Sequence, residues 1–193
     1  MFQTTPRSEG RILDFDIENR PLSYWYADAC TAEVTAIAWS WVGEDRTFVH
    51  MLDPPPDHVT SLRDMLSTFV TAYDEAAMVT GHFIRRHDLP ILNGALLEQG
   101  LPPLSAKMTS DTKIDLTRRG AIAASQEALA AMLDIPAPKI QMTQEDWREA
   151  NRLTPAGLKL TAQRVSGDVL QHKLMRAELL RRGLLGTPRL WSP

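Results

Sequence analysis

From Arg11 to Glu18 (RILDFDIE) apolar and acidic residues alternate with the period of a strand. Glu33 to Val42 (EVTAIAWSWV) and Thr47 to Leu52 are two further β-rich stretches, and the turn residues Gly43-Glu44-Asp45 between them predict a hairpin. Asp53-Pro54-Pro55-Pro56 then halts the chain, because proline lacks the amide that either a ladder or a helix needs. Beyond it the period lengthens. Val59, Leu62, Leu66, Phe69 and Val70 share one face of a helix predicted from an N-cap at Asp57 to about Asp74.

Ala77 to Gly81 is short and apolar, as a buried strand is, and a helix is predicted over Leu89–Gln99, stopped by Gly100 and Pro102-Pro103. Lys107 to Leu116 suits a strand or a short helix equally. Ser125 opens a helix to Leu133, Asp134 to Lys139 is proline-punctuated loop, and Thr143 caps a short helix over Gln144–Ala150. A long helix runs from Pro155 to about Arg182 and stops at Gly183. Strands dominate the first third and helices alternate afterwards, so the expected class is α/β. The hairpin makes the sheet mixed, with helices flanking it. No repeat, low-complexity tract or long linker divides the chain. Its 193 residues suit one domain spanning 1–193, with 184–193 as a surface tail.

Composition narrows the class. With 44% hydrophobic residues the chain can bury a core, and its single cysteine, Cys30, cannot form an internal disulfide. No run approaches the roughly 18 apolar residues that cross a bilayer, and the polar start, Met1 to Gly10, lacks a signal-peptide core. A cytoplasmic location is the expectation. Twenty-one Lys plus Arg against 24 Asp plus Glu leave a net charge of -3. Nucleic acid, if bound, must therefore be gripped by local basic patches or bound cations, not by a global positive field.

The informative chemistry lies on the first strand. Asp14, Asp16 and Glu18 stand at i, i+2 and i+4 and so share one face. Carboxylates crowded together repel and are costly to bury, which hard divalent cations relieve. Spacing alone suits a solvated strand face equally well.

The stretch Ile12 to Pro21 (ILDFDIENRP) resembles the first motif of the DEDD superfamily of 3′-5′ exonucleases, the DnaQ-like group with an RNase H-like fold. Its Asp-x-Glu corresponds to Asp16 and Glu18. Gly81 to Leu92 (GHFIRRHDLPIL) is similar to the second motif, whose aspartate is Asp88. Arg164 to Leu170 (RVSGDVL) resembles the third, on the final helix, with Asp168 as its aspartate. The motifs occur in family order and cover nearly the whole chain. Proofreading-type nucleases encoded by phages are the nearest likeness, and for a phage protein the location would be the host cytoplasm.

The resemblance implies an RNase H-like mixed sheet and a two-metal hydrolysis. Asp16, Glu18, Asp88 and Asp168 would hold two Mg²⁺ or Mn²⁺ ions roughly 3.5–4 Å apart, one activating water and the other stabilising the leaving 3′ oxygen. The implied partner is nucleic acid, single-stranded 3′ ends, DNA ahead of RNA. The alternatives are an exoribonuclease and a catalytically attenuated end-binding module. A partner in a replication complex is compatible with each.

Two positions depart from the family pattern. Phe83 follows the second-motif His82 where the family has Asn. Arg164 and Gln163 stand where it places Tyr or His before the third aspartate. Arginine stays protonated, so Arg164 cannot be a general base, and it is assigned to substrate instead. Gln163 can only orient water. His172, one helical turn beyond Asp168, is a further candidate for catalysis. Arg85 and Arg86 are candidate phosphate contacts, with Arg118-Arg119 and Arg181-Arg182 as further basic pairs. Trp25, with Tyr24 and Tyr26, could stack a terminal base. Asp14 is expected to be a solvated end-of-strand residue, His82 a structural histidine, His87 a substrate-side one, and Trp39 and Trp41 core.

Overall fold

The computed structural model describes residues 10–22, 32–54, 57–118, 125–136 and 140–193. Tyr24, Trp25, Tyr26, Cys30, Arg119 and Lys139 lie outside them. The strands are β1 (Ile12–Pro21), β2 (Ala32–Trp41), β3 (Thr47–Met51), β4 (Met78–Gly81), β5 (Lys107–Asp111) and β6 (Arg189–Trp191). The helices are α1 (His58–Glu75), α2 (Asp88–Glu98), α3 (Thr112–Arg118), α4 (Gln126–Met132), α5 (Gln144–Asn151) and α6 (Pro155–Arg181). The strands form one sheet in the order β3-β2-β1-β4-β5-β6. Pairing is antiparallel on both flanks, while β1, β4 and β5 run parallel in the middle. This is the mixed α/β sheet expected, and it is consistent with an RNase H-like architecture.

Strand parity decides the layers. Leu13, Phe15 and Ile17 of β1 enter the main core, where Phe15 meets Phe69 of α1 at a ring-centroid distance of 5.1 Å. Asp14, Asp16 and Glu18 take the opposite face, which α6 covers. The chain can bring α6 close because β2 presents Ala36 and Ala38 there, against Val165 and Val169. Small side chains on the strand let the helix axis approach. Every residue of β2 is buried, as a strand sandwiched between helical layers must be. Trp39 and Trp41 belong to that core.

Ser125, Thr143 and Thr154 accept capping bonds from the amides of Ala128, Asp146 and Gly157 and so start α4, α5 and α6. Asp57 differs from expectation: its backbone is already helical, and its side chain caps nothing. The ambiguous 107–116 segment is both things in turn, β5 and then α3, divided at Asp111.

The C-terminal tail is a correction as well. Residues 189–191 do not trail over the surface but add β6 to the edge of β5, with Arg189 opposite Thr109. Gly186 permits the crossing, since a Cβ there would stand 2.7 Å from the Asp115 Cβ. Among the described residues no helix is long and apolar enough to cross a membrane.

Candidate active site

The third, fifth and seventh residues of β1 are Asp14, Asp16 and Glu18, and α6 lies over them. Asp168, buried on α6, points its carboxylate at the strand. Ligand oxygens of Asp16, Glu18 and Asp168 come within 4.8 Å of one another. They line a cavity of about 290 Å³ at the C-terminal ends of the parallel strands β1 and β4. Asp88, the first residue of α2, lines the same cavity but stands outside that closest trio. Its Oδ1 accepts the Ile17 amide at 3.3 Å, and its Oδ2 lies 3.3 Å from Nδ1 of His87. The Asp88 carboxylate raises the pKa of His87 against the effect of burial, with Glu18 adding to the rise and Lys113 opposing it.

The donor set suits a hard divalent cation. It offers carboxylate oxygens alone, with no thiolate among them, and the concentrated negative charge favours a small cation over an organic one.

Arg164 lines the cavity too. Its Nε donates to Glu18 Oε1 at 2.8 Å, one amino group donates to the Ile140 carbonyl at 2.8 Å, and the guanidinium lies over the Trp147 ring at 4.9 Å. The position that corresponds to Tyr in the exonuclease motif this segment resembles is thus filled by a cation already paired with one of the carboxylates. Gln163 is exposed and is not among the cavity's lining residues.

His172 does not line the cavity. Its Nδ1 lies 2.8 Å from both carboxylate oxygens of Asp14, and its Nε2 lies 3.1 Å from Thr112 Oγ1. Asp14 is therefore no solvated strand end. It sits mid-sheet between Ser40 and Thr80, wholly buried, because α6 extends over it and supplies the partner that makes burial tolerable. Arg176, a turn further along α6, adds a buried cation facing the same carboxylate; burial lowers its pKa and Asp14 raises it. Thr112 Oγ1 also lies 2.9 Å from Nδ1 of His82, so the polar chain from Asp14 ends at a ring on the cavity wall.

The loop 82–87 is held from beneath. Asp111, wholly buried at the end of β5, accepts backbone amides from Phe83, Arg85, Lys113 and Ile114 at 3.0–3.1 Å. One carboxylate thereby caps α3 and anchors the loop that leads to Asp88. Gly81 lets that loop leave the sheet, since a Cβ there would meet the Phe15 carbonyl at 2.8 Å. Phe83 adopts φ +76, a left-handed backbone that asparagine tolerates better than phenylalanine.

Arg85 and Arg86 part company. Arg85 donates to Asp115 at 2.6 Å and to Thr109 Oγ1 and the Thr109 carbonyl at 2.7 Å each, so its guanidinium is committed to the protein. Arg86 is exposed. Asp111, Asp115, Lys113 and Gln126 went unremarked in the motif reading. The signal for Asp111 was an acidic residue one position before a helix start, visible only once the 107–116 segment is divided there.

No protein-family model and no curated protein matches the sequence. Among solved structures the chain is similar to the family B DNA polymerase from the hyperthermophilic archaeon Pyrobaculum calidifontis, with a TM-score of 0.67 over 88% of this chain at 18% identity. The likeness is one of fold. The chain spans 24% of that polymerase chain.

Proposed function

We propose that this protein is a divalent-cation-dependent 3′-5′ exonuclease acting on single-stranded nucleic acid, DNA in preference to RNA, in a single domain. The observation that carries the reading is the meeting of Asp16, Glu18 and Asp168 within 4.8 Å, from motifs some 150 residues apart, with Asp88 on the same cavity. The fold it shares with a DNA polymerase chain supports the same class of partner.

Asp16, Glu18, Asp88 and Asp168 would hold Mg²⁺ or Mn²⁺. Such cations supply an activated water near neutral pH and charge stabilisation for phosphodiester cleavage. The remaining lining residues do the positioning. Arg164 and Lys113 place positive charge at the cavity wall, where a phosphate would stand. Asp111 fixes the loop that carries His82 and His87, and Thr112 fixes the His82 ring. Nothing at the Arg164 position accepts a proton, so the rate should be lower than that of a site with Tyr or His there.

The test uses 3′-hydroxyl, 3′-blocked and circular single strands of DNA and RNA, with Mg²⁺, Mn²⁺ or EDTA. Stepwise shortening of the free 3′ ends alone, lost in EDTA, is the expected result. Cleavage of the circle would make the enzyme an endonuclease, and inert strands in both metals would overturn the nuclease reading.

Arg164 gives a second reading its support. A cation 2.8 Å from Glu18 competes with the metal for that oxygen, which is how an attenuated end-binding module would look. For Arg164→Tyr, the Mg²⁺ concentration at half-maximal rate should fall about tenfold and the rate itself should rise. An unchanged Mg²⁺ requirement would show that the ion pair does not compete.

A further inference from the structure

A second cavity, of about 550 Å³, lies beside the first and is lined by Arg85, Arg86, Ile114, Arg118, Arg189 and Leu190. The two share their partition. The loop 82–87 gives His82, Phe83 and His87 to the carboxylate side and Arg85 and Arg86 to the other, while α3 gives Lys113 to one and Ile114 and Arg118 to the other. Strand β6 closes the far wall with Arg189 and Leu190.

Four guanidinium groups gather here above two buried carboxylates, Asp115 and Asp111, the second of which accepts the Arg85 amide. Asp115, almost fully buried, is spent on Arg85, which it holds through two bonds at 2.6 and 3.2 Å; Arg189 approaches it only to 4.0 Å. Among the described residues neither Arg86 nor Arg118 pairs with an acidic side chain. Four guanidinium groups against these two carboxylates leave an excess of about two positive charges in a chain whose net charge is -3.

Resting on the nuclease reading above, we infer that this pocket is a second phosphate-binding subsite that grips the backbone of the nucleic-acid strand whose 3′ end occupies the carboxylate cavity. Several features fit a polymeric anion. The volume exceeds that of one phosphate, and the cations come from three separate elements. The loop 82–87 and α3 also contribute residues to both cavities, so the pocket neighbours the one where the strand would end. Ile114 and Leu190 supply apolar wall but no aromatic ring, so the pocket holds backbone, not a stacked base, and the grip is independent of sequence. Arg85 is the fixed floor, while Arg86, Arg118 and Arg189 are the phosphate contacts.

The experiment measures binding of the full-length chain to fluorescent single-stranded DNA of roughly 12 nucleotides, and to a dinucleotide, across a KCl series in EDTA. Wild type is compared with the Arg86→Ala/Arg118→Ala/Arg189→Ala variant and with the corresponding triple Lys variant, each checked for an unchanged melting temperature. At about 0.7 per phosphate contact, the slope of log affinity against log salt should flatten by about 2 in the Ala variant for the longer strand. The longer strand's advantage over the dinucleotide should shrink about tenfold or more, and the Lys variant should restore most of the slope. A slope unchanged by the triple Ala substitution, while wild type cleaves strands, would overturn the subsite alone. A wild type that neither binds nor cleaves would overturn the nuclease reading with it. If inorganic phosphate or a nucleoside monophosphate binds at these arginines while the strand's slope stays put, the pocket is a small-anion site and the inference fails.

Discussion

Asp168→Asn is expected to abolish cation-dependent hydrolysis, by about a thousandfold or more, while leaving the melting temperature unchanged or slightly raised. Asp168 brings the third carboxylate to a cluster whose three ligand oxygens lie within 4.8 Å of one another. The amide keeps the shape but removes a charge that only a bound cation would reward. Without the cation the folded chain loses a repulsion. With it, the reaction loses several kcal/mol of charge stabilisation, each 1.36 kcal/mol being tenfold in rate. His172, one turn along the same helix, provides the contrast. His172→Ala should cost about 3 kcal/mol of stability, because it removes the hydrogen-bonded partner of the buried Asp14 carboxylate and leaves only Arg176 facing it. Rates under Mg²⁺ and urea unfolding curves separate the two. A His172→Ala protein that stayed fully stable but inactive would make His172 a participant in the chemistry, and an active Asp168→Asn would remove the site as drawn.

Asp111→Ala should be among the most damaging changes outside the carboxylate cluster, with a loss of about 4 kcal/mol in urea unfolding and of activity with it. Four backbone amides, of Phe83, Arg85, Lys113 and Ile114, end on that carboxylate in a wholly buried position. Hydrogen bonds to a charged acceptor are worth about 1.5–3 kcal/mol each, and orphaned buried donors cost more than pairs removed together. Water entering the vacated space would return part of this. Asp111→Asn keeps one oxygen for the three amides that use Oδ1 and turns an amide group toward Arg85, so it should lose about half as much. Equal losses for Ala and Asn would mean that the charge, not the acceptor geometry, holds the loop.

Of the site, the pair Asp16 and Glu18 was legible because strand parity is a local property: residues two apart on a strand face the same way whatever covers them. Asp88 and Asp168 were legible only through resemblance, since no periodicity links a helix start, a late helix and a strand. The misreading of Asp14 has the same root. Its position on the carboxylate face was correct, but its burial depends on His172, 158 residues away. Phe83 was noted for what it is not, an asparagine, and only the fold shows that it holds a left-handed backbone, which asparagine adopts more readily.

Local sequence set the elements and their faces: the β2–β3 hairpin, the starts of α4, α5 and α6, the alternation that puts apolar residues of β1 on one side and carboxylates on the other. Those follow from backbone period and capping chemistry, which act within a few residues. Which element covers which face was settled by long-range packing. It set Arg164 against Glu18 and His172 against Asp14, drew β6 onto the sheet edge, and gathered Arg86, Arg118 and Arg189 around one pocket. Such pairings depend on how closely α6 and the C-terminal segment can approach the sheet, through Ala36, Ala38 and Gly186, and distance in space has no period along the chain.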